Sequence, residues 1–128
     1  MQTAGDILVV DDDEPTVVFI AEALRDEGYV VRTALHPADA RVALTRQRPD
    51  LMLLDLHLPG KTGDMLVQDL KDDGLAHVPV IIMTADTRAA HELAMDGIAY
   101  CLLKPFDLND LIACVAKYIR QDRALLPQ

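Results

Sequence analysis

Leu51-Met52-Leu53-Leu54-Asp55-Leu56-His57-Leu58-Pro59-Gly60 is the stretch on which the fold turns. Four consecutive apolar residues read as a strand buried on both faces, and Pro59-Gly60 closes it with turn chemistry. Asp55 falls where the strand runs out. An ionised carboxylate beside a packed core needs partners, or its pKa moves toward the neutral form.

Working outward, the apolar run recurs at residues 7–10, 30–33, 80–83 and 101–103, with helical periodicity between the runs. That alternation predicts an α/β fold, a parallel sheet joined by crossover helices. In the first helix Pro15 is tolerated in the opening turn, Val17, Ile20, Ala21 and Leu24 repeat at helical spacing, and Gly28 stops it. A second helix opens near Pro37 and turns Ala40, Ala43 and Leu44 inward. Residues 59–63 read as a loop, followed by a third helix with Leu66, Val67 and Leu70 on one face and Gly74 at its end. A short fourth helix spans roughly residues 88–95, with Ala90, Leu93 and Ala94 as its inner face. The last helix opens on Asp107 as N-cap and repeats Leu108, Leu111, Ile112, Val115 and Ile119.

A length of 128 residues fits a single domain, with a core over about residues 6–120 and a tail or linker start at 121–128. With 51% hydrophobic residues and no low-complexity tract, the chain reads as globular. A net charge of −9 and a pI near 4.6 argue against direct binding to nucleic acid or to an anionic membrane. No apolar stretch approaches membrane-spanning length and the first residues lack a signal-peptide pattern, so a cytoplasmic location is expected. Cys101 and Cys114 lie in apolar segments and read as two buried thiols rather than a disulfide or a metal pair.

Ligands of open parallel sheets bind at the carboxyl ends of the strands. That rule gathers Asp11, Asp12 and Asp13 from the first strand, Asp55 from the third, Thr84 from the fourth and Lys104 from the fifth. Clustered carboxylates raise one another's pKa unless a cation sits between them. An all-oxygen set without Cys or His favours a hard metal, and a partial, water-accessible set suits Mg²⁺. Lys104 offers a point charge for phosphate, and Thr84 a hydroxyl that can donate to a phosphoryl oxygen. The chemistry these groups support is phosphoryl transfer onto a carboxylate. Simpler readings stand beside it. The acids at 11–14 can be a solvated helix N-terminus, with Asp13 only local charge. Asp50 can be a strand-entry turn residue, and His36, His57, His77 and His91 suit loops or surfaces.

In order along the chain, ILVVDDDEP at 7–15, PDLMLLDLHLPG at 49–60, Gly63, VPVIIMTA at 78–85 and KPF at 104–106 resemble the receiver domain of two-component response regulators. The resemblance covers residues 6 to about 120. It implies a (βα)5 doubly wound, flavodoxin-like sheet in the order 2-1-3-4-5. It implies that Asp11, Asp12, Asp55 and the backbone carbonyl of His57 hold Mg²⁺ or Mn²⁺. Asp55 then accepts a phosphoryl group from a sensor histidine kinase or a histidine phosphotransfer protein, with Thr84 and Lys104 contacting that group. Such a domain is a signalling phosphoacceptor and not an enzyme, catalysing only its own phosphorylation and slow hydrolysis. The resemblance further implies a bacterial phosphorelay protein and a cis Lys104-Pro105 peptide. It also implies a switch at the fourth helix, fifth strand and fifth helix that controls an output partner or effector domain, with homodimerisation on phosphorylation open.

Two departures fall on that output surface. The family places an aromatic three residues before the lysine, where this chain has Cys101, with Tyr100 one place earlier. Either Cys101 takes the switch position with little consequence, or a register shift restores Tyr100 to it. The stretch from Thr84 to Gly97 is also about two residues shorter than is common in the family. His57 and Asp86, two places after the acceptor and the threonine, are positions that tune dephosphorylation in the family. Rival readings are an unphosphorylated module of the same fold, an aspartyl-phosphate hydrolase of the haloacid dehalogenase type, and a flavin binder. The first would lack part of the Asp/Thr/Lys set, the second would want an acid where His57 stands, and the third a Ser/Thr/Gly-rich loop where the acids stand. The sequence leaves open a stand-alone regulator, a relay intermediate, or a part of a longer protein.

Overall fold

A computed structural model describes residues 5–58, 60–72, 78–92 and 98–119. Five strands form one parallel sheet: β1 (Asp6–Val10), β2 (Val30–Ala34), β3 (Leu51–Asp55), β4 (Val80–Thr84) and β5 (Ile98–Leu103). Their spatial order is β2-β1-β3-β4-β5, as the resemblance implied. The helices are α1 (Glu14–Asp26), α2 (Pro37–Arg46), α3 (Gly63–Asp72), α4 (Thr87–Glu92) and α5 (Leu108–Tyr118). The order in which strands are added reverses at β1, with β2 on one side and β3, β4 and β5 on the other, and the gap between β1 and β3 is where an open α/β sheet offers a crevice.

Burial explains the unbroken apolar runs of the central strands. Every residue of β1, β3 and β4 is buried, because helices cover both faces of the sheet centre. Alternate residues serve two cores. Ile7, Val9, Leu53, Ile81 and Met83 pack with Val17, Ile20 and Leu24 of α1 and with Leu111, Cys114 and Val115 of α5. Leu8, Val10, Met52, Leu54 and Ile82 pack with Ala40 and Leu44 of α2 and with Leu66, Val67 and Leu70 of α3. Each fully buried Leu or Ile contributes roughly 1.5–3 kcal/mol relative to exposure.

The expected inner faces of α1, α2 and α3 hold. Asp107 caps α5 as expected, accepting the Asp110 amide at 2.8 Å. Gly28 follows α1 at φ +96°, a conformation that L side chains rarely adopt.

The structure departs from these expectations in five places. β5 begins at Ile98, three residues before the predicted start, because it is an edge strand whose Tyr100 and Leu103 are exposed and break the apolar run. Its pairing to β4 slips between Val80 and Ile81, leaving Ala99 as an extra residue. The predicted loop contains a small antiparallel ladder, His57–Leu58 against Lys61–Thr62. On α5, Leu108 is exposed, Ile112 is half-buried and Cys114 is buried, since the inward stripe starts one turn later than the periodicity suggested. Cys101 is half-buried rather than buried; both cysteines are free. Gly74, His77, Leu93, Ala94 and the 121–128 tail lie outside the described residues, as do the side chains of Ala90 and His91.

Candidate functional site

The strand ends deliver the site. Asp11 follows β1 directly, and its amide bonds the Ala34 carbonyl at 3.2 Å, so its position is set by the β1–β2 pairing. It is 1% exposed. Its Oδ1 accepts the Asp13 amide at 3.0 Å, and its Oδ2 accepts the Lys104 ammonium. Asp13 points away and caps α1, accepting the Thr16 amide at 3.2 Å and the Thr16 hydroxyl. Its role is local, as the simpler reading held. Asp12 is exposed, and Asp55, the last residue of β3, is buried.

Asp11, Asp12 and Asp55 each present a carboxylate oxygen within 4.8 Å of the other two. Lys104, just past β5, reaches across to the same point. Its Nζ is 3.0 Å from Asp11 Oδ2 and 3.5 Å from Asp55 Oδ1. Lys104 is placed by its backbone, whose amide donates to the Thr84 carbonyl at 2.8 Å, and its peptide to Pro105 is cis as expected.

Electrostatics follow from this crowding. Burial, then the Asp11 charge, push the Asp55 carboxyl above its ordinary value of 3.8; Lys104 and a backbone hydrogen bond from His57 only partly offset them. For Lys104, burial pulls the ammonium down, but the hydrogen bond and charge of Asp11, with those of Asp55, outweigh it and the net direction is up. The cluster thus carries more negative charge than one ammonium balances. Its donor set fits a small hard cation: oxygen only, three acids, one of them open to water.

Thr84 ends β4 and is 1% exposed. Its Oγ1 accepts the Asp86 amide at 3.0 Å, and Asp86 Oδ1 in turn accepts the Ala89 amide at 3.1 Å, capping α4. His57 is exposed, two residues beyond Asp55 and opposite Thr62 in the short ladder. Tyr100 and Cys101 lie on opposite faces of β5. Cys101 packs with Ile98 against the core under α2 and α3, whereas Tyr100 stacks on Tyr118 of α5, ring centroids 5.3 Å apart. The extra residue at Ala99 precedes Tyr100, so it leaves the offset from Lys104 unchanged, and the register shift does not bring Tyr100 to the Cys101 position.

Two features escaped the sequence reading. At the opposite end of the sheet, Asp6 pairs with Arg32 at 3.3 Å and accepts the Gln47 amide group at 2.8 Å. Arg32 also donates to the Ala43 and Gln47 carbonyls at 2.7 and 2.8 Å, closing the end of α2, while Asp50 accepts the Asp6 amide at 2.9 Å. A lone arginine in a β2 edge strand and an acid at a buried strand start were the available signals. Beside Lys104, Pro15, Phe19, Ile20, Ala85, Pro105 and Phe106 line an apolar groove of about 490 Å³.

A doubly wound parallel sheet bearing three acids and a lysine at its carboxyl rim defines the class of protein. The family described as the response regulator receiver domain matches residues 7–116, and the chain belongs to that family. It is a two-component signalling domain. It is 34% identical over 121 residues to the DNA-binding transcriptional regulator NtrC of Proteus hauseri, covering 93% of this chain and 25% of that protein. With response regulator PleD of Caulobacter vibrioides, identity is 38% over 117 residues, covering 89% of this chain and 26% of PleD. The chain thus spans about a quarter of these relatives. Among solved structures, the Francisella response regulator 1452 receiver domain matches with TM-score 0.82 and 26% identity, over 94% of this chain and 98% of that one. Chemotaxis response regulator CheY4 of Vibrio cholerae matches with TM-score 0.84 and 25% identity, over 91% and 100%. No helix among the described residues is long and apolar enough to cross a membrane.

Proposed function

We propose that Asp55 is the phosphoacceptor, taking a phosphoryl group from the phosphohistidine of a sensor histidine kinase or histidine phosphotransfer protein. The observation that carries this reading is the convergence of Asp11, Asp12 and Lys104 on the Asp55 carboxylate. An Asp55 oxygen attacks phosphorus, the P–N bond breaks, and the imidazole leaves with the electron pair and takes a proton from water. Lys104, released from the unphosphorylated acids, offers its ammonium to the new phosphoryl oxygens. The Thr84 hydroxyl donates to another.

Asp11, Asp12 and Asp55 are the side chains that would hold Mg²⁺ or Mn²⁺, together with the His57 carbonyl. A divalent cation held there would supply charge neutralisation for phosphoryl transfer. The apolar groove by Phe19 and Phe106 opens next to Lys104 and suits the docking of the partner that carries the phosphohistidine. The phosphorylated domain then acts through α4, β5 and α5 on an output partner or effector, in the bacterial cytoplasm, with homodimerisation as one mode.

We further infer that the chain folds as one domain over about residues 6–120. Incubation with a phosphorylated histidine phosphotransfer protein and Mg²⁺, followed by reduction with tritiated borohydride and peptide mapping, tests the assignment. Label confined to the peptide at residue 55 supports it; label on another acid overturns it.

A further inference from the structure

We propose that Asp86 is a positioning residue that couples Thr84 to helix α4. The inference rests on the reading that Thr84 engages the phosphoryl group on Asp55. Three contacts define the coupling. Thr84 is fixed at its backbone, since its carbonyl accepts the Lys104 amide at 2.8 Å, so its side chain is the part able to respond. That side chain is buried and β-branched, and its hydroxyl therefore moves by rotamer steps rather than by small adjustments. Its oxygen is held by the Asp86 amide at 3.0 Å.

Asp86 is tied at its other end to α4. Its Oδ1 accepts the Ala89 amide at 3.1 Å, an N-cap joining the loop to the first turn. Ala89 packs against the same core as Cys101. When the Thr84 hydroxyl turns toward a phosphoryl oxygen, the Asp86 amide either follows or loses its acceptor. In following, it carries the cap and the first turn of α4 with it. Two hydrogen bonds in series through one residue thus link the acceptor site to the helix. This route needs no aromatic side chain at position 101, where the chain has cysteine.

The test compares the wild type with Asp86→Ala and Asp86→Asn, using beryllofluoride with Mg²⁺ as the probe and backbone amide NMR shifts as the readout. Circular dichroism first establishes that each variant is folded. In the wild type, the probe shifts the amides of both Thr84 and Ala89. In Asp86→Ala the probe binds within about twofold of wild type and still shifts Thr84, but the shift at Ala89 is lost. Asp86→Asn keeps an acceptor oxygen for the cap and restores the Ala89 shift. A full Ala89 response in Asp86→Ala overturns the coupling, as does an Asp86→Asn variant as defective as Asp86→Ala. A wild type that shows no shift near Asp55 overturns the phosphoacceptor reading instead, and the coupling with it.

Discussion

Lys104 Nζ lies 3.0 Å from Asp11 Oδ2 across 93 residues of chain, while its distance to Asp55 is 3.5 Å. In this state the ammonium serves first as counter-ion to the more deeply buried acid. Lys104→Met leaves Asp11 and Asp55 as like charges with no cation between them. Urea denaturation without divalent cation should show a loss of about 2 kcal/mol, modest because the lysine side chain is 27% exposed. Added Mg²⁺ should recover more stability in the variant than it adds to the wild type.

Asp55 titrates against its environment. Its carboxyl is raised in the folded state, so the protonated form is favoured there: its stabilising contribution is full below 3.8 and is lost as pH rises through the higher folded value. At neutral pH without metal, Asp55→Asn should therefore raise the unfolding midpoint by a few degrees. The gain should vanish at acidic pH, where wild-type Asp55 is also neutral. A thermal series across pH 4–8 checks both, and a lower midpoint for Asp55→Asn at neutral pH contradicts the electrostatic reading.

The two thiols should be inert. Burial pushes Cys114 up to about 11 and raises Cys101 as well, both from an ordinary 9.0. Native protein at pH 8 should react with a thiol reagent at least about tenfold more slowly than urea-unfolded protein. The neutral Cys114 thiol contributes stability below pH 9.0 that is lost as pH rises through about 11.

Tyr100 stacks on Tyr118 and lies across the strand from Cys101. Tyr100→Ala should cost about 1 kcal/mol from the lost ring pair, yet leave both phosphoryl uptake and the response of α4 intact. Abolished response with intact uptake would show that Tyr100 takes the switch role after all.

The carboxyl-end site was legible because each of its residues sits at the end of an apolar run, and parallel topology converts sequence position into position on one rim. Asp11, Asp55, Thr84 and Lys104 needed nothing more. The Asp6–Arg32–Gln47 cluster was not legible, since its members come from β1, β2 and the end of α2 with no motif linking them. Arg32→Ala should cost about 2 kcal/mol by leaving the buried Asp6 carboxylate with the Gln47 amide group but no cation and by removing the donor to two helix-end carbonyls, without altering chemistry at the far rim. The start of β5 was missed because an edge strand with an extra residue at Ala99 has no clean period to read. That is the same region in which Tyr100 and Cys101 depart from the family pattern.

Phosphorylation of Asp55 is most directly measured by intact mass after incubation with Mg²⁺ and acetyl phosphate. The wild type should gain one phosphoryl mass that EDTA prevents, and Asp55→Ala should gain none. No added mass in the wild type, or uptake that persists in Asp55→Ala, would contradict the assignment of Asp55 as the acceptor.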